Sequence, residues 1–292
     1  MDKQKILRAG KIASQVRDSI RNEIKSGMLL VEIADAIEEK IIELGGKPAF
    51  PTCLSIDDAA AHYIPYHDDK SVARGILKVD MGVHVDGWIA DTAFSLDLEN
   101  DEENKKIILA SEKALDAAIK NFKKGGKIRN VGSSVKNEIE KFGFSPIVNL
   151  SGHSIENYDL HAGISIPNFD NSDETEIKEG LYAIEPFATN GVGRVKDGKP
   201  SATYILQSEK NPRSSEAREI LKFIVEEYKT LPFCSRWLVK KFGLKSLISI
   251  KQLEENGNVY NYPVLMESSG GKVAQTEHTI LVEKNNVIVT TK

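Results

Sequence analysis

Five residues able to do metal chemistry stand where a soluble chain would ordinarily avoid them. Asp80 lies in ILKVDMGV and Asp91 in GWIADTAF, each carboxylate set in an apolar, strand-like run where an ionised group is costly to desolvate. His153 in NLSGHSI, Glu185 in LYAIEPFA and Glu277 in AQTEHTIL have similar surroundings. Taken singly, a buried Asp is more often a hydrogen-bonded structural residue and a lone His a satisfied turn or core residue. The Asp80 and Asp91 pair resists that account. GILKVDMGVHVDGWIADTAFSLDL reads as a hairpin around His84-Val85-Asp86-Gly87, which contains the Asp-Gly turn signal. A turn centred on Val85 and Asp86 sets Asp80 opposite Asp91; one centred on Asp86 and Gly87 sets them diagonally, still on one face. Directly opposed side chains stand about 4.5 to 5.5 Å apart at Cβ, so two like charges there call for a compensating cation.

A carboxylate-rich set with one imidazole is a hard-ligand site, suited to Mn, Fe, Co or Zn and poorly suited to soft, thiophilic metals. Carboxylates able to bridge imply two divalent ions. Ions about 3.5 to 4 Å apart activate a water and stabilise the oxyanion that develops when an amide is hydrolysed. The predicted reaction class is metal-assisted hydrolysis.

The elements that must position these groups follow from patterning. The chain has 292 residues, room for one large domain or two ordinary ones. Its 39 basic and 43 acidic residues leave a formal charge of -4, so no global cationic field recruits nucleic acid or anionic membrane, and a peptide or small-molecule substrate is easier to accommodate. At the start, Ile6, Leu7, Ile12, Val16, Ile20 and Ile24 recur at helical spacing among charges, unlike the uninterrupted core of a signal peptide. No later stretch approaches the roughly 18 apolar residues of a membrane span, and the expectation is a soluble, cytoplasmic protein. Cys53 and Cys234 form no metal-knuckle spacing and read as reduced, packed thiols.

The first helix ends near Gly27 and the second, LLVEIADAIEEKIIEL, at Gly45 and Gly46. The hairpin follows. Two more helices, ENKKIILASEKALDAAIKNF and VGSSVKNEIEKF, precede strand candidates at Ile147 to Leu150, Gly163 to Ile166 and Leu181 to Phe187. Helix, helix, sheet thus occurs twice. That repetition predicts an α/β (α+β) fold of two related halves sharing one curved antiparallel sheet, with helices on one face, and not a doubly wound parallel fold. Residues 212–262 turn helix-rich and read as an inserted helical subdomain within a single catalytic domain of residues 1–292; VAQTEHTILVEK and NVIVTT then complete the main sheet.

Asp80, an Asp eleven residues on, then His153, Glu185 and Glu277, with GHSI, IEPFA and QTEHTIL around the last three, resemble the methionine aminopeptidases. The likeness covers nearly the whole chain, including FPTCLSIDDAAAHYIP and FCSRWL. It implies the pita-bread fold. The insertion between Glu185 and Glu277 looks like that of the type 2 enzymes, and the start directly at the first helix looks like the short archaeal form. By this resemblance Asp91 and Glu277 bridge two ions, Asp80 chelates one, and His153 and Glu185 complete the other. His62 in AAAHYIP matches the histidine that contacts the scissile amide nitrogen and helps proton transfer, and His161 in DLHAG the one that polarises the scissile carbonyl. Phe50, Leu160 and Tyr262 match positions lining the methionine pocket; from the residues alone, all three are core candidates and both histidines are as readily structural. The implied substrate is the N-terminal methionine of a new polypeptide, followed by a small residue. The implied cofactor is two divalent ions, and the expected setting is a monomer in the cytoplasm with the ribosome as a partner.

Three rivals differ in testable ways. A prolidase or Xaa-Pro aminopeptidase uses much the same ligands behind a sizeable N-terminal domain, for which 79 residues before Asp80 leave little room. A non-catalytic pita-bread binding protein has no need of all five ligands. A winged-helix-like insertion that binds nucleic acid through LVKKFGLK is too weakly cationic for the phosphate contacts required.

Overall fold

The computed structural model describes residues 1–284 and 286–292. Helix α1 (Lys3–Glu23) starts at Asp2, whose carboxylate accepts the Lys5 N–H, and buries Ile6, Ile12, Val16 and Ile20 along one stripe. Helix α2 (Leu30–Glu43) stops before Gly45, which takes the left-handed conformation at φ 81° that ends many helices. Strands β1 (Lys47–Ile56), β2 (Ala59–Ala61), β3 (Ile76–Val85) and β4 (Trp88–Asp97) complete the first half. The period of two divides β3: Leu77, Val79, Met81 and Val83 pack under α1 and α2, which leaves Lys78, Asp80, Gly82 and His84 on the opposite face.

The second half repeats the plan. Helix α3 (Glu102–Asn121), capped by Asp101, and helix α4 (Ile128–Lys141) cover strands β5 (Ser145–Pro146), β6 (Ser151–Ile155), β7 (Ser165–Pro167) and β8 (Gly180–Ile184). Their core joins Ile107, Ala114 and Val131 to Ile166, Tyr182 and Ile184. Next come β9 (Phe187–Thr189), β10 (Val195–Leu206), α5 (Ser215–Glu227), β11 (Phe233–Cys234), α6 (Ser235–Phe242), α7 (Ser246–Glu255) and β12 (Val259–Glu267). The chain ends with β13 (Val273–Gln275), β14 (Glu277–Val282) and β15 (Val287–Val289).

The main sheet runs β1-β3-β4-β14-β8-β6-β7 with β15 beside β14, all antiparallel, and the two halves meet where β4 pairs β14. Two smaller sheets, β11-β10-β12-β2 and β13-β9-β5, sit apart from it. Three expectations change in detail. Residues 147–150 form no strand of their own: the Ile147 N–H continues the β5 ladder onto Phe187 of β9, and the chain then turns at Val148 and Asn149, where the Val148 N–H donates to Gly193. The run Leu181 to Phe187 breaks into β8 and β9 at Glu185 and Pro186, where proline has no N–H for a ladder. At the C-terminus, β14 and β15 join the main sheet, whereas β13 belongs to the three-stranded one.

The helix-rich segment has a core of its own, with Ile220, Leu221, Ile224, Leu238, Ile250 and Leu253 packed together. It hangs on the antiparallel β10 and β12 pair, which runs from Val195 opposite Glu267 to Leu206 opposite Val259 with register shifts on either side of Pro200. Cys53 and Cys234 are free and buried. Among the described residues, no helix is long and apolar enough to cross a membrane.

Candidate metal centre and substrate cavity

Val85 pairs with Trp88, so the hairpin loop is Asp86-Gly87, and both residues have positive φ, 49° and 84°. That is the two-residue turn whose twist matches paired strands. It sets Asp80 opposite Ala93 and Asp91 opposite Gly82, the diagonal arrangement of the two left open by sequence. Glu277 also pairs with Ala93, across β14. One rung of the sheet therefore carries Asp80, Ala93 and Glu277. The next begins with Gly82 and Asp91, passes Thr279, which exchanges hydrogen bonds with the Asp91 backbone at 2.7 and 2.8 Å, and continues to Ala183 and His153. Glu185 extends β8 two residues past Ala183. The five side chains thus share one face, and Gly82, Ala93 and Ala183 between them keep that face open.

His153 Nε2 lies 3.7 Å from Asp91 Oδ2 and 3.5 Å from Glu185 Oε1. Donor atoms of Asp91, His153 and Glu277 all fall within 4.8 Å of one another. Several are orphaned: Asp80 Oδ1, Asp91 Oδ1 and both Glu277 carboxylate oxygens are buried without a hydrogen-bond partner. Buried unpaired oxygens are costly unless something else meets them. Burial raises Asp80 to about 6. Burial, and then neighbouring carboxylates, hold Asp91, Glu185 and Glu277 well above the usual range. Burial and the nearby His161 depress His153 to about 3, which keeps its imidazole neutral. Four crowded carboxylates and a neutral imidazole, with unpaired oxygens converging, fit divalent cations of the hard to borderline class.

The same face opens into a cavity of about 330 Å³. All ten residues singled out in the sequence line it: Asp80, Asp91, His153, Glu185 and Glu277 at one end, with Phe50, His62, Leu160, His161 and Tyr262 around them. His62 follows β2 and holds φ at 65°, an uncommon state for a residue with a side chain. Its Nδ1 is buried without a partner, its ring stands 5.7 Å from that of Tyr262, and burial pulls it down to about 4. The His161 ring lies 4.3 Å from that of His153, and burial lowers it too. Both imidazoles are therefore neutral near pH 7.

Gln275 escaped the sequence reading. Its Nε2 donates to Asp80 at 3.0 Å and to Glu185 at 3.5 Å, tying the two ends of the carboxylate set. The signal was its place two residues before Glu277 in a strand. Thr203, on β10, also reaches the cavity.

A metallohydrolase class is what this fold and donor set define, and comparison bears it out. The chain belongs to metallopeptidase family M24, which it matches over residues 4–284, and within that family to the methionine aminopeptidases. A methionine aminopeptidase of Pyrococcus horikoshii is 46% identical over 297 residues, covering 100% of both chains. Among solved structures, the methionine aminopeptidase of Thermotoga maritima superimposes with a TM-score of 0.71 at 22% identity, covering 99% of this chain and 96% of that one. A thermophilic Arx1 superimposes with a TM-score of 0.84 at 14% identity, covering 98% and 90%. The last two show the fold alone, which is the pita-bread architecture.

Proposed function

We propose that this chain hydrolyses the N-terminal methionine from polypeptides, with two divalent ions held by Asp80, Asp91, His153, Glu185 and Glu277. The observation that carries this is the convergence of orphaned, buried carboxylate oxygens on a cavity that Phe50, Leu160 and Tyr262 also line. In this reading Asp91 and Glu277 would be shared between the two ions, Asp80 would hold one of them, and His153 with Glu185 would hold the other. When bound, such ions supply Lewis acidity toward the scissile carbonyl and lower the pKa of an attacking water.

The rest is protein chemistry. Phe50, Leu160 and Tyr262 receive the methionine side chain, for which an apolar wall suits a thioether. His62, neutral and with an unpaired ring nitrogen, faces the scissile amide nitrogen and assists proton transfer there. His161 donates to the carbonyl oxygen, where negative charge builds in the transition state. By the family likeness, a small second residue is favoured. We also assign the enzyme to the type 2 form, with residues 212–262 as its inserted subdomain, acting as a monomer on new chains in the cytoplasm.

A peptide panel tests the proposal. Met-Ala and Met-Gly peptides should turn over far faster than Leu-, Lys- or Glu-initiated peptides or Xaa-Pro substrates. Comparable rates for Met, Lys and Glu N-termini would remove the pocket, and a preference for Xaa-Pro would move the chain to the prolidase-like enzymes.

A further inference from the structure

Glu38, on α2, and Arg236, on α6, are 5% and 1% exposed, although both are ions and lie about two hundred residues apart in sequence. Arg236 donates to Glu38 through both terminal nitrogens, at 2.9 and 2.7 Å, and also to Asp35, which Lys240 meets at 2.9 Å. Its Nε–H has no partner among the described residues. Glu38 accepts two more bonds, from Trp237 Nε1 at 2.7 Å and from the Thr52 backbone N–H at 3.1 Å.

The Thr52 bond connects this pair to the site. Between Phe50 opposite Gly82 and Cys53 opposite Asp80, β1 spends three residues where β3 spends two, which is a bulge at Pro51 and Thr52. Pro51 has no N–H, and the Thr52 N–H is met by the Glu38 carboxylate. The bulge lets Phe50, Pro51 and Cys53 all line the cavity. Pro232 and Thr203 also line the cavity; Thr203 pairs with Cys234, two residues before Arg236, and Cys234 packs in one cluster with Phe50 and Cys53. One buried ion pair therefore holds both walls.

We infer that Glu38 and Arg236 are positioning residues that set the width of the substrate side-chain pocket, by fixing the β1 bulge on one wall and the β11 to α6 turn on the other. This rests on the proposed function, in which the cavity receives the substrate's first side chain. Neither residue lines the metal-binding end of the cavity, so loosening the clamp widens the pocket and leaves metal binding and the chemical step in place.

Arg236→Lys and Glu38→Gln test it, with kcat and KM measured on Met-, Leu- and Phe-initiated peptides beside bound metal by elemental analysis. Lysine keeps the positive charge and loses the planar fork; glutamine keeps the shape and loses the charge. The expected result is a KM for the Met peptide raised about tenfold, kcat within about twofold, unchanged metal content, and Met-over-Leu preference reduced at least about threefold. A purely structural role lowers thermal stability and the active fraction while leaving KM and that preference alone. Unchanged KM and preference in folded, metal-loaded Arg236→Lys would overturn the inference. Should both variants fail to fold, Trp237→Phe decides: it leaves both ions paired and removes one donor to Glu38, so a smaller shift in the same direction is expected and no shift refutes it. The wild-type panel tests the methionine preference separately, whereas the change between wild type and variant tests the clamp whichever residue the wild type prefers.

Discussion

Asp80→Asn should stabilise the metal-free protein and destabilise the metal-loaded one. Burial carries Asp80 from 3.8 to about 6, which corresponds to a penalty on the order of 3 kcal/mol for the ionised form. A carboxyl whose folded pKa is raised binds more protons folded than unfolded, so its contribution is most favourable below 3.8 and is lost as pH rises through about 6. At pH 8 the metal-free wild type bears the whole penalty. Asparagine cannot ionise, and its amide oxygen can still accept the bond from Gln275. The variant should therefore gain up to about 3 kcal/mol in chelator at pH 8, about 5 to 6 °C in Tm for a chain of this length, and almost nothing at pH 4. With excess Mn or Co the order reverses, because each tenfold loss of metal affinity removes about 1.4 kcal/mol of linked stabilisation. Thermal unfolding followed by circular dichroism at both pH values, with and without metal, provides the four comparisons. A variant less stable than wild type in chelator at pH 8 would refute the claim that the buried charges await a cation.

Asp91→Asn and Glu277→Gln should abolish hydrolysis and lower bound metal while the fold persists, as seen by elemental analysis beside activity; near-normal turnover would remove both from the site. His62→Ala and His161→Ala should lower kcat on the order of 10²-fold or more with metal content intact, and loss of a metal equivalent in either would make that histidine a ligand. Gly82→Ala puts a Cβ 2.3 Å from the Phe50 ring and 3.0 Å from Ala49 Cβ, so Phe50 must move into the cavity. Its cost should be about 1 to 3 kcal/mol of stability and a raised KM for Met peptides, and a variant with wild-type Tm and KM would show that this wall is soft.

The candidate metal set was legible because charge in an apolar strand is an anomaly that needs no partner to be noticed. Asp80 and Asp91 declared a shared face through the hairpin, and only the turn's centre was open; the positive φ of Asp86 and Gly87 closed it. Less legible were features set by what the backbone cannot do. Pro186 splits one predicted strand into two, and the chain turns at Val148 and Asn149 after a single further bond from Ile147 to β9, so apolar composition there does not make a strand. The Glu38 and Arg236 pair was invisible: each sits in an amphipathic helix where a charged residue reads as solvated, and only the packing of α6 on α2 reveals both as buried. His62 and His161 took meaning from family likeness, since their types alone suit a core as well as a site.

The most direct test of the central claim is an anomalous-scattering map from crystals grown with Mn or Co. Two peaks about 3.5 to 4 Å apart, both contacted by Asp91 and Glu277, one also by Asp80 and the other also by His153 and Glu185, is the result expected. A fully active crystal form with no ion on these five residues, or with its ions held elsewhere, would contradict it.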